Sequence, residues 1–538
     1  MVGEGHSKGF AERQGKIDVL KLLYILNKMK LLSPLTLLRL TAAVYRHGIN
    51  LMTLLNFSAR MYGEKLALVG EGESLTYQQL YTQAEQLCAV LQKRYQLTRG
   101  KKAGLACSNH ASLVRAIFAV SSSGADVYLL PAKTSEGQFQ RLLQQHDFDL
   151  LVCDEEQSHW LGDFPSGKML LSYHETLPAI NSLCFERANE KTKLQRMSAG
   201  KLVLLTGGTT GGAKEARHKP SLFHYLDPFF AFLTRLNILP CHTAYIATPI
   251  YHGYGVAVLL LFMALGKKVV IQRGFDPVQA CRLIREHQVE VVTVVPLMLH
   301  KMLRTNAADL KSLACIASGG AELNPKLVKE TAEKLGAVLY NLYGTSEAGL
   351  NIIATPQDLS YSARTIGRKI DGVRIKIVDE HKKEVAVGQP GQICIQNKWS
   401  MKNRSKAWIE SGDVGYRDEK GYYFLCGRTD NMIVSAGVNV YPLEVEQILL
   451  THPHVEDAVV IGVPDEWYGQ RLQVYILLAP QAAMTVEDMF AWLRPRLARY
   501  QQPKEILFVD RLPYTHLGKV DRKLLLRNGT NGDMGNSG

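Results

Sequence analysis

Short apolar runs that end in glycine-rich or hydroxyl-rich turns recur along the first two thirds of the chain. Such runs, bounded by turn residues and rich in β-branched side chains, predict buried strands. They cover residues 103–107, 127–131, 150–153, 202–205, 289–295, 315–318 and 337–342. Stretches with helical periodicity lie between them, including 74–95 and 113–121. Alternating strands and helices predict an α/β fold with mostly parallel sheets and helices on both faces.

The pattern changes in the last third of the chain. Short strands are predicted at 373–378, 391–396 and 421–426, and then a helix, two strands, a helix and a strand at 443–450, 455–462, 472–479, 486–494 and 505–509. The second group predicts a separate α+β unit. The predicted organisation is an N-terminal segment, 1–50, a large domain, 51–429, with a small β subdomain, a smaller C-terminal domain, 430–525, and a disordered tail, 526–538.

The segment 1–50 is both basic and apolar. Lysines and arginines interrupt its leucines too often for a membrane span, which needs about 20 apolar residues. No small-residue cleavage site follows an apolar core, so a signal peptide is not indicated. Two interpretations stay open: an amphipathic helix that rests on a membrane, or helices that pack on the body of the protein.

Charge and cysteine content narrow the class of partner. The formal net charge of +13 favours anionic partners such as nucleotides, CoA or a membrane surface. Because no dense Lys/Arg run with interleaved aromatics occurs, a nucleic-acid partner is not expected. The nine cysteines are scattered and form no C-x-x-C motif. This usage indicates neither a disulfide framework nor a zinc site, and it fits a reducing, cytoplasmic location.

A glycine-rich loop follows the apolar run at 202–205. Four glycines within six positions allow several backbone N–H groups to converge on one point, and three threonine hydroxyls and Lys214 add donors. Such a loop can wrap a polyphosphate, although a flexible surface loop has the same composition. The ordinary NTPase P-loop is excluded because Ala213 stands where Lys-Ser or Lys-Thr should begin.

Three further apolar runs end in similar turns. One closes near His252, which is equally compatible with a structural hydrogen bond and with a site role. The others lead into Gly319-Gly320-Ala321 and into Tyr343-Gly344-Thr345-Ser346-Glu347. Ligands of open α/β sheets bind beyond the carboxyl ends of the strands. We therefore expect these turns to build one pocket.

These motifs together resemble a known family. Residues 206–214 resemble the phosphate loop of adenylate-forming (AMP-binding) enzymes, which include acyl-CoA synthetases, firefly-luciferase-like enzymes and peptide-synthetase adenylation domains. Motifs at 251–252, 318–321, 343–347, 411–413, 427–428 and 518–519 follow in the family's order. The stretches 247–277 and 431–469 are most similar to bacterial fatty acyl-CoA ligases. The phosphate loop departs from the family pattern at 207, 212, 213 and 215, where Gly, Gly, Ala and Glu stand in place of Ser, Lys, Pro and Gly.

The resemblance implies a set of site residues. The implied nucleotide contacts are Thr206, Gly207, Gly208, Thr209, Thr210, Gly211, Lys214, Gly319, Gly320, Ala321, Asn341, Tyr343, Gly344, Thr345, Ser346, Asp413 and Arg428. The implied catalytic residues are Lys519, Glu347 and His252, and the implied Mg²⁺ ligands are Glu347 and Thr210. Asp430 is the implied hinge of a mobile C-terminal domain, and Ser435, Ala436 and Gly437 form the implied CoA-side loop.

The function that the resemblance implies is a ligase reaction with ATP, Mg²⁺ and CoA. A carboxylic acid, expected to be a fatty acid, is activated to an acyl-adenylate and then transferred to CoA, with release of pyrophosphate and AMP. Two alternatives stay open: an acyl-AMP ligase that loads a carrier protein, and a non-catalytic adenylate or acyl binder, which the altered phosphate loop suggests. The expected location is the cytoplasm, with peripheral membrane contact through the N-terminal segment.

Overall fold

The computed structural model describes residues 33–186, 197–206, 214–218, 226–401, 407–435, 438–515, 519–522 and 524–526. For residues 206, 214–218 and 226 it describes the backbone alone.

The strands, in chain order, have the following bounds. They are β1 Leu66–Gly70, β2 Glu73–Thr76, β3 Lys102–Ala106, β4 Asp126–Leu129, β5 Leu150–Cys153, β6 Met169–Leu171, β7 Leu202–Thr206, β8 Lys214–His218, β9 Thr243–Ile246, β10 Lys268–Ile271, β11 Val291–Val294, β12 Cys315–Gly319, β13 Leu339–Thr345, β14 Gly349–Ala354, β15 Thr365–Lys369, β16 Arg374–Val378, β17 Gly391–Gln396, β18 Ile409–Arg417, β19 Tyr423–Arg428, β20 Ile433–Ser435, β21 Val438–Val440, β22 Val455–Asp465, β23 Gly469–Leu478 and β24 Glu505–Phe508.

The α-helices alternate with these strands. They are Pro34–His47, Leu51–Tyr62, Tyr77–Tyr95, Ala111–Ser123, Glu136–Gln145, Glu155–Ser158, Ile180–Leu183, Leu226–Arg235, Gly253–Ala264, Pro277–His287, Pro296–Asn306, Pro325–Leu335, Pro356–Tyr361, Pro442–Leu449 and Val486–Leu493. Within the described ranges, none of them combines the length and apolar character needed to cross a membrane.

Two α/β sheets form the large N-terminal domain. One has thirteen strands, and its parallel part runs β13-β12-β11-β9-β10-β1, while β14 to β19 extend it as an antiparallel sheet. The other has six strands, of which β6-β5-β3-β4-β7 are parallel and β8 is antiparallel to β7. The helix Ala111–Ser123 is buried at every position because it contacts strands of both sheets. This arrangement confirms the predicted α/β class.

A smaller C-terminal domain has its own sheet, in the order β21-β20-β23-β22 with β24 beside β23. Its core is separate from that of the large domain and includes Val445, Leu449, Val474, Met489 and Leu493. The exact domain boundaries proposed from the sequence stay predictions.

Two helices occupy the beginning of the described chain. Pro34–His47 starts at Ser33, whose hydroxyl accepts a hydrogen bond from Thr36 N at 3.2 Å. Leu51–Tyr62 starts at Asn50, whose carbonyl Oδ1 accepts from Thr53 N at 3.1 Å, and it packs into the main core. The second helix therefore belongs to the body of the protein.

Three boundaries predicted from the sequence are wrong. The helix expected from residue 74 begins at Tyr77, because Leu75 pairs with Leu68 in an antiparallel ladder and Thr76 caps the helix. The turn expected at 343–347 begins later, because β13 continues through Thr345 against β14. Thr206 and Lys214, expected in the phosphate loop, are paired strand residues, so the loop between them is one residue shorter at each end.

A glycine in the first turn of the helix Gly253–Ala264 provides a test of this packing. A Cβ on Gly255 would lie 2.1 Å from the carbonyl oxygen of Pro249, which rules out a side chain without backbone movement. We expect Gly255→Ala to lower the free energy of unfolding by about 1–3 kcal/mol, measured as a lower thermal unfolding midpoint.

The matched control is Gly137→Ala in the first turn of Glu136–Gln145, where an added Cβ meets no atom within 4 Å. This control should leave stability unchanged or raise it slightly, because alanine favours helices. An equal loss of stability in both variants would show that the close approach of Pro249 to Gly255 does not cause the destabilisation.

Candidate active site

One cavity of about 2530 Å³ lies at the carboxyl ends of the parallel strands, between the two domains. Its lining includes most of the described residues that the sequence singled out. They are His252, Gly319, Gly320, Ala321, Asn341, Tyr343, Gly344, Thr345, Ser346, Glu347, Asp413, Arg428, Asp430 and Lys519. The expectation that separate turns meet at one pocket is therefore confirmed for this set.

The best-defined group in the cavity is the carboxylate of Asp413 on β18. Tyr343 Oη donates to Asp413 Oδ2 at 2.6 Å, and Arg428 Nη1 donates to Asp413 Oδ1 at 2.8 Å. Ser411 Oγ accepts from the Asp413 backbone N–H at 3.1 Å and so fixes the strand locally. Three segments that are distant in the sequence are thus joined at one carboxylate.

Burial and pairing act in opposite directions on this carboxylate. Burial raises the pKa of Asp413, and the hydrogen bond from Tyr343 and the charge of Arg428 oppose that rise. The pKa of the Tyr343 hydroxyl is raised well above its ordinary value, first by burial and then by the charge of Asp413. Tyr343 is therefore a neutral hydrogen-bond donor to Asp413, whose other carboxyl oxygen accepts from Arg428.

Arg428 links Asp413 to Asp430, the residue at the junction with the small domain. Its Nε donates to Asp430 Oδ1 at 2.9 Å, and its Nη2 donates to Asp430 Oδ2 at 3.3 Å. One guanidinium therefore holds two carboxylates, one on each side of it. Asp430 lies in a single 3₁₀ turn, Thr429–Asn431, between the end of β19 and β20 of the small domain's sheet.

The backbone around Tyr343 is closely packed. A Cβ on Gly344 would lie 2.4 Å from the carbonyl oxygen of Gly349, so the close pairing of β13 with β14 leaves room only for glycine at this position. Thr345 Oγ1 accepts from the Ala348 backbone N–H at 3.0 Å. These contacts position the Tyr343 and Glu347 segment at the cavity wall.

Glu347 offers a ligand for a hard cation. The side chain is half-buried and lines the cavity, while its backbone carbonyl oxygen accepts from Met401 N at 2.7 Å. Carboxylate oxygen is the ligand that Mg²⁺ prefers, so the residue fits that ion. The other expected ligand, Thr210, lies outside the described residues.

Lys519 reaches the cavity from the small domain. Its backbone is held beside Thr515, because Thr515 N donates to Lys519 O at 2.7 Å and Lys519 N donates to Thr515 Oγ1 at 3.2 Å. The pKa of its ammonium is lowered by burial and by the charge of Arg428, while the charge of Asp413 opposes this. Solvent within the cavity still reaches the residue. Lys519 is therefore a cation within electrostatic range of the Asp413 pair.

The small domain is held in this orientation by contacts that sequence reasoning missed. Glu456 Oε1 lies 3.4 Å from His300 Nε2 and 3.9 Å from Arg304 Nη2. Lys326 Nζ donates to the carbonyl oxygen of His452 at 2.7 Å and to that of Val455. No local pattern marks these residues, because each is an ordinary charged position until the two domains are placed together.

His252 precedes the helix Gly253–Ala264 and lines the cavity. Its ring centroid lies 4.5 Å from that of Tyr251, at an interplanar angle of 57°. Its catalytic role stays a prediction.

Of the predicted site residues whose side chains the structure describes, one lies away from the cavity, and the others outside the lining are not described in full. Gly207, Gly208, Thr209, Thr210, Gly211, Ala436 and Gly437 lie outside the described residues, and for Thr206 and Lys214 the backbone alone is described. Ser435 is buried in β20, pairs with Gly469, and does not line the cavity.

The far part of the cavity has an apolar wall that the sequence analysis did not assign. It includes Leu51, Leu54, Phe57, Phe229, Phe232, Leu260 and Leu261. One signal could have indicated it: the helix Gly253–Ala264 is apolar on all faces, as expected when one face meets the core and the other an apolar cavity.

Strand ends with glycine turns around one cavity are the arrangement by which α/β proteins bind nucleotides. The AMP-binding enzyme family matches residues 55–403, and the AMP-binding enzyme C-terminal domain matches residues 444–519. The chain therefore belongs to the AMP-binding enzyme family.

Relatives of the chain are acid ligases. It is 27% identical to the fatty acid–[acyl-carrier-protein] ligase ScoC of Streptomyces coeruleorubidus, over 85% of this chain and 92% of that protein. It is 30% identical to the medium/long-chain-fatty-acid–CoA ligase FadD8 of Mycobacterium tuberculosis, over 59% of each chain. Its structure is similar to that of o-succinylbenzoate CoA synthetase (MenE) from Bacillus subtilis in complex with the acyl-adenylate intermediate OSB-AMP, with a TM-score of 0.76 and 25% identity over 88% of this chain and 97% of that one. These relatives act on different acids.

The Tyr343–Asp413 hydrogen bond gives a testable pH dependence. Tyr343→Phe keeps the ring and removes the donor that lowers the pKa of Asp413, so this pKa should rise. A carboxylate with a raised pKa is lost as pH falls through that value. We expect AMP binding by the variant, measured by calorimetry, to weaken at a higher pH than in the wild type during acidification.

The control is Tyr361→Phe, which removes a similar bond to Asp418 at 3.0 Å on the exposed surface. It should leave AMP binding unchanged at every pH. Superimposable pH profiles for wild type and Tyr343→Phe would show that this bond does not tune the site.

Proposed function

We propose that the protein is an ATP-dependent ligase that activates an apolar, fatty carboxylic acid and transfers its acyl group to CoA. The observation that carries the proposal is the composition of the cavity described above. One end holds Asp413, Arg428 and Lys519, and the other has an apolar wall. A carboxylate with a long hydrocarbon chain matches both ends. The supply of ATP and CoA agrees with a cytoplasmic location.

The size of the cavity supports a substrate with two bulky parts. Its volume of about 2530 Å³ exceeds the range of about 300–1,000 Å³ that is usual for drug-sized ligands. A nucleotide at the Asp413 end would leave the apolar part for an acyl chain. FadD8 and ScoC are named for fatty acids, which supports the same class.

The first half-reaction joins the acid to AMP. A carboxylate oxygen attacks the α-phosphorus of ATP, the new C–O–P bond forms, and the bond to the β-phosphate oxygen breaks, which releases pyrophosphate. A carboxylate is a nucleophile at neutral pH, so the site's task is to position groups and neutralise charge. In our proposal Asp413 accepts the ribose hydroxyls, Tyr343 stacks on the adenine, and Lys519 stabilises charge at the α-phosphate. Glu347 would hold Mg²⁺, which neutralises phosphate charge.

The second half-reaction transfers the acyl group. The CoA thiolate attacks the acyl carbonyl, the carbon–oxygen bond to AMP breaks, and the thiol proton passes to solvent. We propose that the small domain rotates about Asp430 between the two steps and brings the segment 435–437 to the thiol. This rotation has to break the contacts of Glu456 with His300 and Arg304, and those of Lys326 with the carbonyls of the small domain.

The name of one relative supports a different acceptor for the acyl group. ScoC is named as a ligase for an acyl-carrier protein, so a carrier protein could replace CoA as the thiol. Release of AMP from pre-formed acyl-adenylate on addition of CoA would favour CoA. A non-catalytic binder would release no pyrophosphate from ATP and any acid.

Lys519→Ala tests the assignment of the two half-reactions. We expect pyrophosphate release with ATP and a long-chain acid to fall by about 10²–10³-fold, as for loss of one charge-stabilising group. Thioester formation from supplied acyl-adenylate should stay within a few-fold of the wild type, because the lysine is used only in the first step. Rapid-quench assays of each step measure both.

The matched control is Lys504→Ala, a surface lysine of the same domain that pairs with Asp465 at 3.1 Å. It should affect neither step. Equal losses of both steps in Lys519→Ala would contradict the proposed division of roles.

Ala257→Phe tests the apolar part of the cavity. Ala257 lies on the helix Gly253–Ala264 and lines the cavity, so a phenyl ring there would fill space needed by a long chain. We expect kcat/KM for a long-chain acid to fall by about tenfold or more, and that for a short-chain acid to change little. Ala257→Ser, which adds one oxygen atom, should retain the long-chain activity. An equal loss of kcat/KM for acids of all chain lengths would show that the acyl chain does not bind beside Ala257.

A further inference from the structure

The helix Pro34–His47 exposes apolar side chains to solvent, which is unexpected for a helix whose apolar side packs on the protein. Its buried residues are Thr36, Ala43 and His47. Three of its large apolar side chains are exposed, Leu35 by 57%, Leu38 by 66% and Tyr45 by 80%, beside the exposed Arg46. Residues 35, 38 and 45 lie three and seven positions apart and therefore share one face. An exposed apolar face of this kind marks an interaction site.

Positive charge exceeds negative charge around this face. Residues 33–63 contain three arginines and no aspartate or glutamate, and residues 19–32 add three lysines in the sequence. Arg46 pairs with Glu85 at 2.7 Å, whereas Arg39 has no carboxylate partner among the described residues and contacts Met61 Sδ at 3.3 Å. His47 adds no charge at neutral pH, because burial lowers its pKa to about 4.

The same helix is continuous with the apolar end of the cavity. Leu40 on this helix and Ile49 just beyond it both line the cavity, together with Leu51 and Leu54 of the next helix. Ile49 is 45% exposed. All four residues precede residue 55, where the match to the family begins. The exposed face and this part of the cavity are thus features of this chain that the family match does not cover.

We propose that the outer face of Pro34–His47 docks on an anionic lipid bilayer and places the apolar end of the cavity against it. The exposed leucines and Tyr45 enter the acyl region, where apolar burial drives binding, and the arginines meet lipid phosphates at the interface. An apolar acid dissolved in the bilayer then passes from lipid into the cavity beside Leu40 and Ile49. This last step rests on the proposed function, whereas the docking itself does not.

A second copy of the chain fits this face less well than a bilayer does. In a two-fold interface the same patch meets itself, so Arg39, which has no carboxylate partner among the described residues, would face the arginines of the other copy. An anionic bilayer supplies the opposite charge across the whole face.

The test is sedimentation of the full chain with vesicles made of equal parts phosphatidylcholine and phosphatidylglycerol. We expect the wild type to bind, and to bind less as salt is raised. The variant Leu38→Ser/Tyr45→Ser should lose about 100-fold in affinity, since each buried apolar side chain contributes about tenfold or more. Vesicles of phosphatidylcholine alone should bind the wild type much more weakly.

The matched control is Tyr173→Ser/Leu177→Ser, which removes the same two residue types from another surface, where they are 58% and 54% exposed. It should bind vesicles as the wild type does. Three results would overturn the proposal: no binding by the wild type, equal loss in both double variants, or a wild-type dimer in sedimentation velocity that Leu38→Ser/Tyr45→Ser dissociates.

Uptake from the bilayer is measured separately. With a long-chain acid presented in anionic vesicles, pyrophosphate release by Leu38→Ser/Tyr45→Ser should fall at least tenfold, while release with a short water-soluble acid should match the wild type. Equal activity with both acids would overturn the uptake step. If the wild type releases no pyrophosphate with any acid, the proposed function fails, and the vesicle sedimentation still decides the docking.

Discussion

The site depends on one buried carboxylate that has to be paired. Asp413 lies on β18 with little contact to bulk solvent, where an unpartnered charge would cost several kcal/mol. Tyr343 from β13 and Arg428 from β19 supply its partners at 2.6 and 2.8 Å. Because Arg428 also binds Asp430, the pairing extends to the start of the small domain. One electrostatic requirement thus ties the parallel part of the large sheet, its antiparallel extension and the domain junction together.

The fold satisfies this requirement by ending several strands at the same place. The parallel part of the thirteen-stranded sheet delivers Gly319 and Asn341 to the cavity, and the six-stranded sheet delivers Leu205 from the other side. The small domain then closes the cavity with Lys519. Partly exposed ion pairs between the domains, such as that of Glu456 with His300, are individually weak. A rigid cavity wall around Asp413 and a small domain held by weak contacts are both consistent with a reaction in which the small domain moves between two steps.

Local sequence patterns predicted many of the strands and site residues. They failed where residues distant in the chain determine a strand's length or a side chain's contacts. The strands Leu150–Cys153 and Gly391–Gln396 have the predicted bounds, because turn residues delimit both. Strand β13 extends through Thr345 because β14 pairs with it, which no local pattern reveals. The resemblance implies that Tyr343 contacts the nucleotide, whereas its hydrogen bond to Asp413, 70 residues away, is evident only in three dimensions. The apolar wall formed by Phe57, Phe229 and their neighbours was missed for the same reason. The roles of the phosphate loop, the hinge and the CoA-side segment stay predictions.

The central claim is that these elements meet around a nucleotide whose α-phosphorus is attacked by a carboxylate. The most direct measurement is oxygen transfer from a fatty acid labelled with ¹⁸O in both carboxylate positions, incubated with the protein, ATP and CoA. Attack at the α-phosphorus places one labelled oxygen in the AMP that is released, seen by mass spectrometry as a gain of one ¹⁸O atom, and leaves pyrophosphate unlabelled. Unlabelled AMP, or label in inorganic phosphate with ADP as the product, would contradict the account.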